Sequence, residues 1–586
     1  MLSVGASIEL SPGCLGLTAD QALLPELRQV KAVLGGRAGR LMMLDNTVLV
    51  DRSVHPTAMR FSDRFNVAVP FIDRHVTQGY GDRIAIRSIS GDVSYATLAE
   101  RVAQCGNALR RLSLSPRARL LMVVRDCPDF FYIFWGAIKA GIVPVPLDTE
   151  LRTDDYKFFI EDSRCGAIVY SPELSAEIEG AVAHSVHSPR YVLPIESDQT
   201  NSLSAMMADA PRRLTAANAR ADAECFWLYS SGSTDRPKAA VHRHRDMVMT
   251  SQLYGVDVLG IQPDDICFSA AKLFFAYGLG NAMTFPLWVG ATTILLPALA
   301  TPRSTFAMIE RFRPTLYFGL PTLYAAQLQT LDMLTPDLSS IRLCVSAGEP
   351  LPEHLFHKWR ERTRTLIIEG LGSTEALHIF ISNRVDDPKP GTAGQIVAGY
   401  EAKIVDEKGH AVRTGEGGNL HVRGQSIALC YWNNPKRTRQ TFVHGWLNTG
   451  DIFIQSSDGN YVYCGRTDDM LKVGGTWCSP FEIETVLAEH RGVLEAAVVG
   501  RADADGLIKP EAWIVTNQKR ADPAKIEGEL IQLCKEKLAP YKYPRWFNIV
   551  AELPKTATGK IQRFRLKALS EQTARNDAQE PISYRE

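Results

Sequence analysis

No two of the eleven cysteines form a C-x-x-C pair; they are scattered from Cys14 to Cys534, and their number is odd. That pattern argues against a zinc site and against a disulfide framework, and it makes the cytosol the expected compartment. Net charge is also absent, since 65 Lys plus Arg balance 65 Asp plus Glu. Without a global field there is no electrostatic footprint for nucleic acid or for an anionic membrane surface. The longest apolar run, Phe130 to Leu147, contains Lys139, two glycines and two prolines. It reads as a buried helix running into a strand, not as a membrane span. The first ~60 residues lack the charged n-region, apolar core and small-residue cleavage site of a secretory signal, and read as a loosely attached extension of unknown role. No internal repeat is present.

What remains is a chain of 586 residues with 45% hydrophobic content, enough for a large domain with a real core plus at least one smaller domain. From about Asn66 onward, helical periods alternate with short β-rich runs: RLLMVV, AIVY, TTILLP, LIIEG and AAVVG. This is the α/β pattern of parallel sheets flanked by helices. Pro211 to Glu224 forms a polar, alanine-rich connector, and a second change of composition follows Gly465. The expected division is an extension over 1–62, a large domain over 63–467, a small α+β domain over 468–575 and a polar tail over 576–586.

The densest signal is YSSGSTDRPKAAVHRHRD, Tyr229 to Asp246. It is not a Walker A loop, because Pro237 precedes Lys238 and Ala239 follows it, whereas that motif needs G-K-[ST]. Its physics still favours an anion. Backbone N–H groups around Gly232, the hydroxyls of Ser230, Ser231, Ser233 and Thr234, and the Lys238 ammonium can surround phosphate oxygens. Taken alone, the same stretch reads more readily as a solvated Ser/Gly turn. No G-x-G-x-x-G fingerprint of a dinucleotide fold is present.

Four further motifs follow in order: EGLGSTEALH from Glu369, LNTGD from Leu447, GRTDDMLKVGG from Gly465 and PKTATGKIQRF from Pro554. The series resembles that of the adenylate-forming superfamily, which includes acyl-CoA synthetases, peptide-synthetase adenylation domains and firefly luciferases. The resemblance runs from about Asn66 to Leu569. Within the superfamily, Lys272 to Thr293 and Gly372 to Asn383 look like the benzoate–coenzyme A ligase branch. The resemblance implies a large N-terminal domain and a small mobile C-terminal one, with ATP, Mg²⁺ and coenzyme A as cofactor and co-substrates. The activity implied is acyl-adenylate formation with release of pyrophosphate, then displacement of AMP by the thiol.

The same resemblance assigns roles. Ser230 to Lys238 would cradle the β- and γ-phosphates, Thr374 would bond the α-phosphate, and Glu375 would hold Mg²⁺. Asp451 and Arg466 would bind the ribose hydroxyls. Adenine would lie between Gly348, Glu349 and Pro350 on one side and Glu369, Gly370, Leu371 and Gly372 on the other. Lys560 would reach the acid carboxylate and the α-phosphate as charge passes between them. Asp468 would be the hinge on which the small domain rotates, bringing Lys472, Gly474 and Gly475 to the coenzyme A channel.

The acid would sit among Phe275, Ala276, Tyr277, Gly372, His378 and Ile379. That set is short, flat and largely apolar, with Tyr277 and His378 offering polar tips, so it suits benzoate or a hydroxy- or aminobenzoate better than a fatty chain.

The chain also departs from the family pattern. Asp235 and Ala239 stand where relatives usually have Gly, Gly474 where Ser is usual, Ala398 where Pro is usual, Glu369 where Asp is usual in the nearest branch, and Leu371 where many have a stacking Tyr. Asp235 places a carboxylate near phosphate, with Arg236 beside it, and Ala239 adds a methyl where the backbone can need unusual dihedrals. Two rivals remain: an aryl-acid adenylating enzyme that loads a separate carrier protein, since only 26 residues follow Lys560, and a binding relative with weakened catalysis. The sequence leaves both a homodimer and a monomer open.

Overall fold

The computed structural model describes residues 43–196, 201–230, 236–473, 476–503, 506–516, 523–555 and 561–579. Its largest sheet has nine strands. From one edge they are Gln395–Ile396, Ile379–Ser382, Ile367–Gly372, Leu343–Ser346, Leu316–Gly319, Ile266–Ser269, Thr292–Ile294, Ile84–Ser88 and Gly91–Ser94. The central strands are parallel, and antiparallel partners close both ends. Central strands such as LYFG and LCVS are buried along their whole length, as a parallel sheet covered by helices on both faces requires.

A second sheet is all parallel, in the order Val143–Pro146, Arg119–Val123, Ala167–Tyr170 and Tyr191–Pro194. The apolar run from Phe130 folds as the sequence predicts. Helix Pro128–Ala140 ends at Gly141, whose φ of 85° only glycine adopts cheaply, and the chain turns into strand Val143–Pro146. Helix Tyr95–Arg111 crosses this helix where two glycines meet. A Cβ at Gly106 would stand 2.8 Å from the Gly136 carbonyl oxygen, so the backbones touch because neither residue has a side chain.

Residues 43–62 are not loosely attached, contrary to the sequence reading. Strands Val48–Asp51 and Ala58–Phe61 pair antiparallel, and Val48, Val50, Met59 and Phe61 pack on the core of the large domain. Alternating half-buried side chains give this hairpin one face to dock. The first 42 residues lie outside the described part.

After Glu401 the chain builds an antiparallel sheet from Glu401–Val405, Gly417–Arg423, Trp446–Gln455, Phe442–Val443 and Tyr461–Arg466. The small C-terminal domain follows. It consists of a three-stranded sheet, Val493–Ala502, Ile508–Thr516 and Trp546–Val550, with helices Pro480–Ala488, Pro523–Lys537 and Arg563–Gln579. All ten described cysteines are free, and no described helix is long and apolar enough to cross a membrane.

Candidate active site

In a parallel sheet flanked by helices, ligands bind in the crevice beyond the carboxyl ends of the strands. The predicted adenine wall lies at such ends. Strands Leu343–Ser346 and Ile367–Gly372 are neighbours, with Ser346 opposite Glu369. The first runs on into Gly348, Glu349 and Pro350, where Gly348 has a φ of 91°, while the second carries Gly370, Leu371 and Gly372. A side chain at Gly370 would strike Ile379 at 2.6 Å, so at that position the strand offers only backbone.

Glu369 does not face the adenine side as a free carboxylate. It is buried, and its carboxyl accepts a hydrogen bond from the Leu351 backbone just beyond the Gly348–Pro350 turn. Burial pushes its pKa up to about 8. Because the folded value lies above the unfolded one of 4.5, stability is complete at low pH and is lost as pH rises from 4.5 towards 8. Glu369→Gln removes that dependence. Relative to wild type, the variant should gain about 1.4 kcal/mol per pH unit over that window, read by denaturant unfolding at pH 5.5 and 7.5. Parallel curves for the two proteins would contradict it.

Asp451 and Arg466 are fifteen positions apart in sequence yet are direct partners across strands Trp446–Gln455 and Tyr461–Arg466. Arg466 Nη1 donates to Asp451 Oδ1 at 2.9 Å and to the Thr449 carbonyl at 3.3 Å. The carboxylate beside it holds the guanidinium pKa above its usual value. Gly450 makes the approach possible, with a φ of 72° and Arg466 Nη2 lying 3.2 Å from where its Cβ would be.

The turn carrying Thr374 and Glu375 is clamped from two sides. His242 Nε2 lies 2.9 Å from the Thr374 carbonyl oxygen, and its Nδ1 lies 3.3 Å from the fully buried Asp246. On the other side, Ala428 N donates to the Glu375 carbonyl at 2.8 Å and Ser426 Oγ to that of Ala376 at 2.8 Å. The Glu375 carboxylate accepts from Ser230 Oγ at 3.0 Å and from the Tyr431 hydroxyl at 2.7 Å, both on Oε1. His242, Asp246 and Tyr431 escaped the sequence reading. His242 and Asp246 lie in the quoted stretch ending HRHRD but received no role there, Tyr431 lies outside every motif, and no spacing rule ties any of the three to S-T-E.

Strands Glu224–Ser230 and Lys238–Arg243 form a hairpin that presents the phosphate loop. Ser231 to Asp235 lie outside the described residues; Ser230 and Lys238 mark the ends of the loop and are register partners. Ala239 lies opposite Tyr229 in the ladder, is buried, and keeps an ordinary negative φ. Its methyl group packs in the core with Trp227, so the expectation of strained backbone there is corrected. Arg236 leans over the Phe158 ring at 5.5 Å.

Several residues expected to line the acid pocket are neighbours in the fold. Phe275 precedes the short helix Ala276–Leu279, and Tyr277 and His378 face each other with ring centroids 5.6 Å apart. The Tyr277 hydroxyl and His378 Nε2 are engaged within the protein, whereas His378 Nδ1 is buried without a hydrogen-bond partner. The Tyr277 hydroxyl lies 3.1 Å from the Val345 carbonyl oxygen and 3.3 Å from that of Gly319. His378 Nε2 lies 3.3 Å from the Tyr277 carbonyl oxygen. Burial pulls the imidazole pKa down to about 3, so His378 is neutral at working pH. Ile379 is buried behind it, and a Cβ at Gly372 would collide with the His378 backbone.

Asp468 is exposed, and its carbonyl accepts from Lys567 Nζ at 3.0 Å. Lys472 is exposed on strand Leu471–Val473. Gly474, Gly475 and Lys560 lie outside the described residues. Among the described residues no group of three or more His, Cys, Asp or Glu side chains could hold a metal. The oxygen set at Glu375 nevertheless fits a hard cation that takes its other ligands from phosphate and water.

Comparison with known proteins identifies the family. The AMP-binding enzyme family model matches residues 73–432, and the AMP-binding enzyme C-terminal domain model matches residues 482–560. The benzoate–CoA ligase of Thauera aromatica is 44% identical over 522 residues, covering 89% of this chain and 99% of its own. A 4-hydroxybenzoate–CoA/benzoate–CoA ligase of Rhodopseudomonas palustris is 43% identical over 86% of this chain and 94% of its own. The crystal structure of the anthranilate CoA ligase AuaEII in complex with anthranoyl-AMP shares the fold at a TM-score of 0.84 and 38% identity, covering 88% of this chain and 99% of that one. Two family models in series and relatives 43–44% identical over 86–89% of this chain have one reading: the chain belongs to the AMP-binding, adenylate-forming enzyme superfamily, in its benzoate–coenzyme A ligase branch.

Proposed function

We propose that this protein is an AMP-forming ligase that joins an aromatic carboxylic acid to coenzyme A through an acyl-adenylate. The observation that carries this reading is the turn from Gly372 to Ile379. It holds the phosphate-side residues Thr374 and Glu375 and the acid-side residues His378 and Ile379 within eight consecutive positions, so the carboxylate and the α-phosphate are brought to one place. Both groups are anions, and the site must neutralise them. Lys238 and Lys560 supply cationic charge, and Thr374 donates to phosphate oxygen. Mg²⁺ would be held by Glu375, and when bound it offsets phosphate charge as a Lewis acid. Asp451 and Arg466 hold the ribose, and the Gly348–Pro350 turn with Gly370 and Leu371 encloses adenine.

The second half-reaction needs Lys560 to withdraw and a thiol to enter. We place the boundary of the small domain after residue 467, with Asp468 as pivot and Lys472, Gly474 and Gly475 turning towards the pantetheine arm. Within the aromatic acids, the internally bonded Tyr277 hydroxyl and the neutral His378, whose buried Nδ1 has no partner, leave a largely apolar floor that suits a benzoate ring. The names of the relatives, covering benzoate, 4-hydroxybenzoate and anthranoyl-AMP, support the substrate class.

A pyrophosphate-release assay with ATP and Mg²⁺ tests this reading over benzoate, hydroxybenzoates, aminobenzoates, cinnamates and short fatty acids, each with and without coenzyme A. Coenzyme A-dependent turnover led by benzoate is expected. Pyrophosphate without thioester would indicate another acceptor, such as a carrier protein, and silence on every aromatic acid would overturn the reading.

A further inference from the structure

Tyr431 belongs to none of the motifs recognised in the sequence, yet it reaches the centre of the site. It sits in the loop after strand Gly417–Arg423 and bridges antiparallel to Ala240 on the phosphate hairpin. Its backbone is fixed by Thr438, whose Oγ1 accepts from Tyr431 N at 3.1 Å. The ring packs against Phe442 at 5.4 Å and is only 5% exposed. Lys238 Nζ lies 5.5 Å from the ring centroid, within cation–π range. The hydroxyl donates to Glu375 Oε1 at 2.7 Å, the same oxygen that accepts from Ser230 at 3.0 Å.

A carboxylate has two oxygens. Two donors converging on Oε1 fix the rotation of the group and spend that oxygen, so Oε2 is the one presented to a cation. We propose that Tyr431 is a positioning residue for the metal–ATP complex: its hydroxyl sets the Glu375 carboxylate for Mg²⁺ while its ring seats the Lys238 ammonium, so one side chain couples the S-T-E turn to the phosphate loop. The inference rests on the reading of Glu375 as the metal-holding residue.

Mn²⁺ replaces Mg²⁺ as the reporter in the test. It is titrated into the full-length protein saturated with a non-hydrolysable ATP analogue, and its affinity is read from water-proton relaxation for wild type, Glu375→Gln and Tyr431→Phe. Tyr431→Phe keeps the ring and loses one charge-assisted hydrogen bond, so Mn²⁺ affinity in the nucleotide complex should fall about tenfold. Its turnover should be restored towards wild type by raising Mg²⁺, a rescue that a merely structural defect would not show. If wild type and Glu375→Gln bind Mn²⁺ alike, the metal reading of Glu375 fails, and this inference falls with it. If Glu375→Gln loses Mn²⁺ and Tyr431→Phe binds it as wild type does, the inference alone is overturned. Should the Phe variant not fold, 3-fluorotyrosine at position 431 keeps the shape and alters the hydroxyl; a change in Mn²⁺ affinity then supports the role and no change overturns it.

Discussion

Lys560→Ala should lower the rate of acyl-adenylate formation by about 10² to 10³, the cost found when a preorganised charge-stabilising group is removed from an active site. Adenylation brings a carboxylate against the α-phosphate, and negative charge moves from one oxygen set to the other as the new bond forms. A cation that reaches both lowers the barrier more than it tightens either substrate, so the loss should appear in kcat and not in KM for ATP. The second half-reaction has no such need. Thioester formation from synthetic benzoyl-adenylate and coenzyme A should stay within about threefold of wild type, because uniform binding is untouched. Lys560 itself lies outside the described residues; on either side of that segment Lys555 and Ile561 pair in a single β-bridge, and Lys555 is tied to Glu495 by an ion pair. Equal loss in both half-reactions would show that Lys560 serves the fold of the small domain and not the first step.

The second large effect is expected from a residue with no side chain. Gly280 has a φ of −63°, so its backbone is ordinary and alanine meets no dihedral strain there. Space is the constraint. A Cβ would stand 2.3 Å from His378 Cδ2, 2.6 Å from its Nε2 and 3.1 Å from the end of the Phe285 ring. His378 is hemmed in by Tyr254, Tyr277 and Phe285 at centroid distances of 5.5, 5.6 and 4.5 Å. The ring is therefore expected to be displaced, and with it the wall proposed for the acid. Gly280→Ala should cut kcat/KM for benzoate about 10²-fold, as a displacement near 1 Å at a reacting site can. Overpacking should cost about 1–3 kcal/mol of stability. KM for ATP should hardly move. The double variant Gly280→Ala, His378→Ala should recover much of the lost stability, because the colliding ring is gone. A Gly280→Ala enzyme with wild-type benzoate kinetics would show that His378 yields without disturbing the pocket.

Much of this site was legible in the residues. The strand segments AIVY and AAVVG and the helix-to-strand run from Phe130 formed as their patterns predict, because fully buried β-rich runs and a helix ended by glycine are decided locally. The S-T-E and T-G-D motifs were legible for a different reason: phosphate and ribose chemistry needs particular groups at short spacing. The Glu369 carboxyl, by contrast, was read as part of an adenine wall. In the fold it is drawn inward to the Leu351 backbone, where burial raises its pKa. Tyr277 and His378 were read as polar tips for the ligand; in the fold the Tyr277 hydroxyl meets carbonyl oxygens of neighbouring strands and His378 Nε2 that of Tyr277, while His378 Nδ1 is left without a partner.

The sequence by itself determined the α/β class, the order of the motifs and the residue types able to bind nucleotide, since those depend on periodicity and on chemistry carried within a few positions. Tertiary structure alone decided which distant groups share a hydrogen bond: Arg466 with Asp451 through strand register, His242 with Thr374 across 132 positions, and Tyr431 with Glu375 across 56. Register and packing are set by the whole core at once, and a single polar side chain leaves no periodic trace of the partner it will meet.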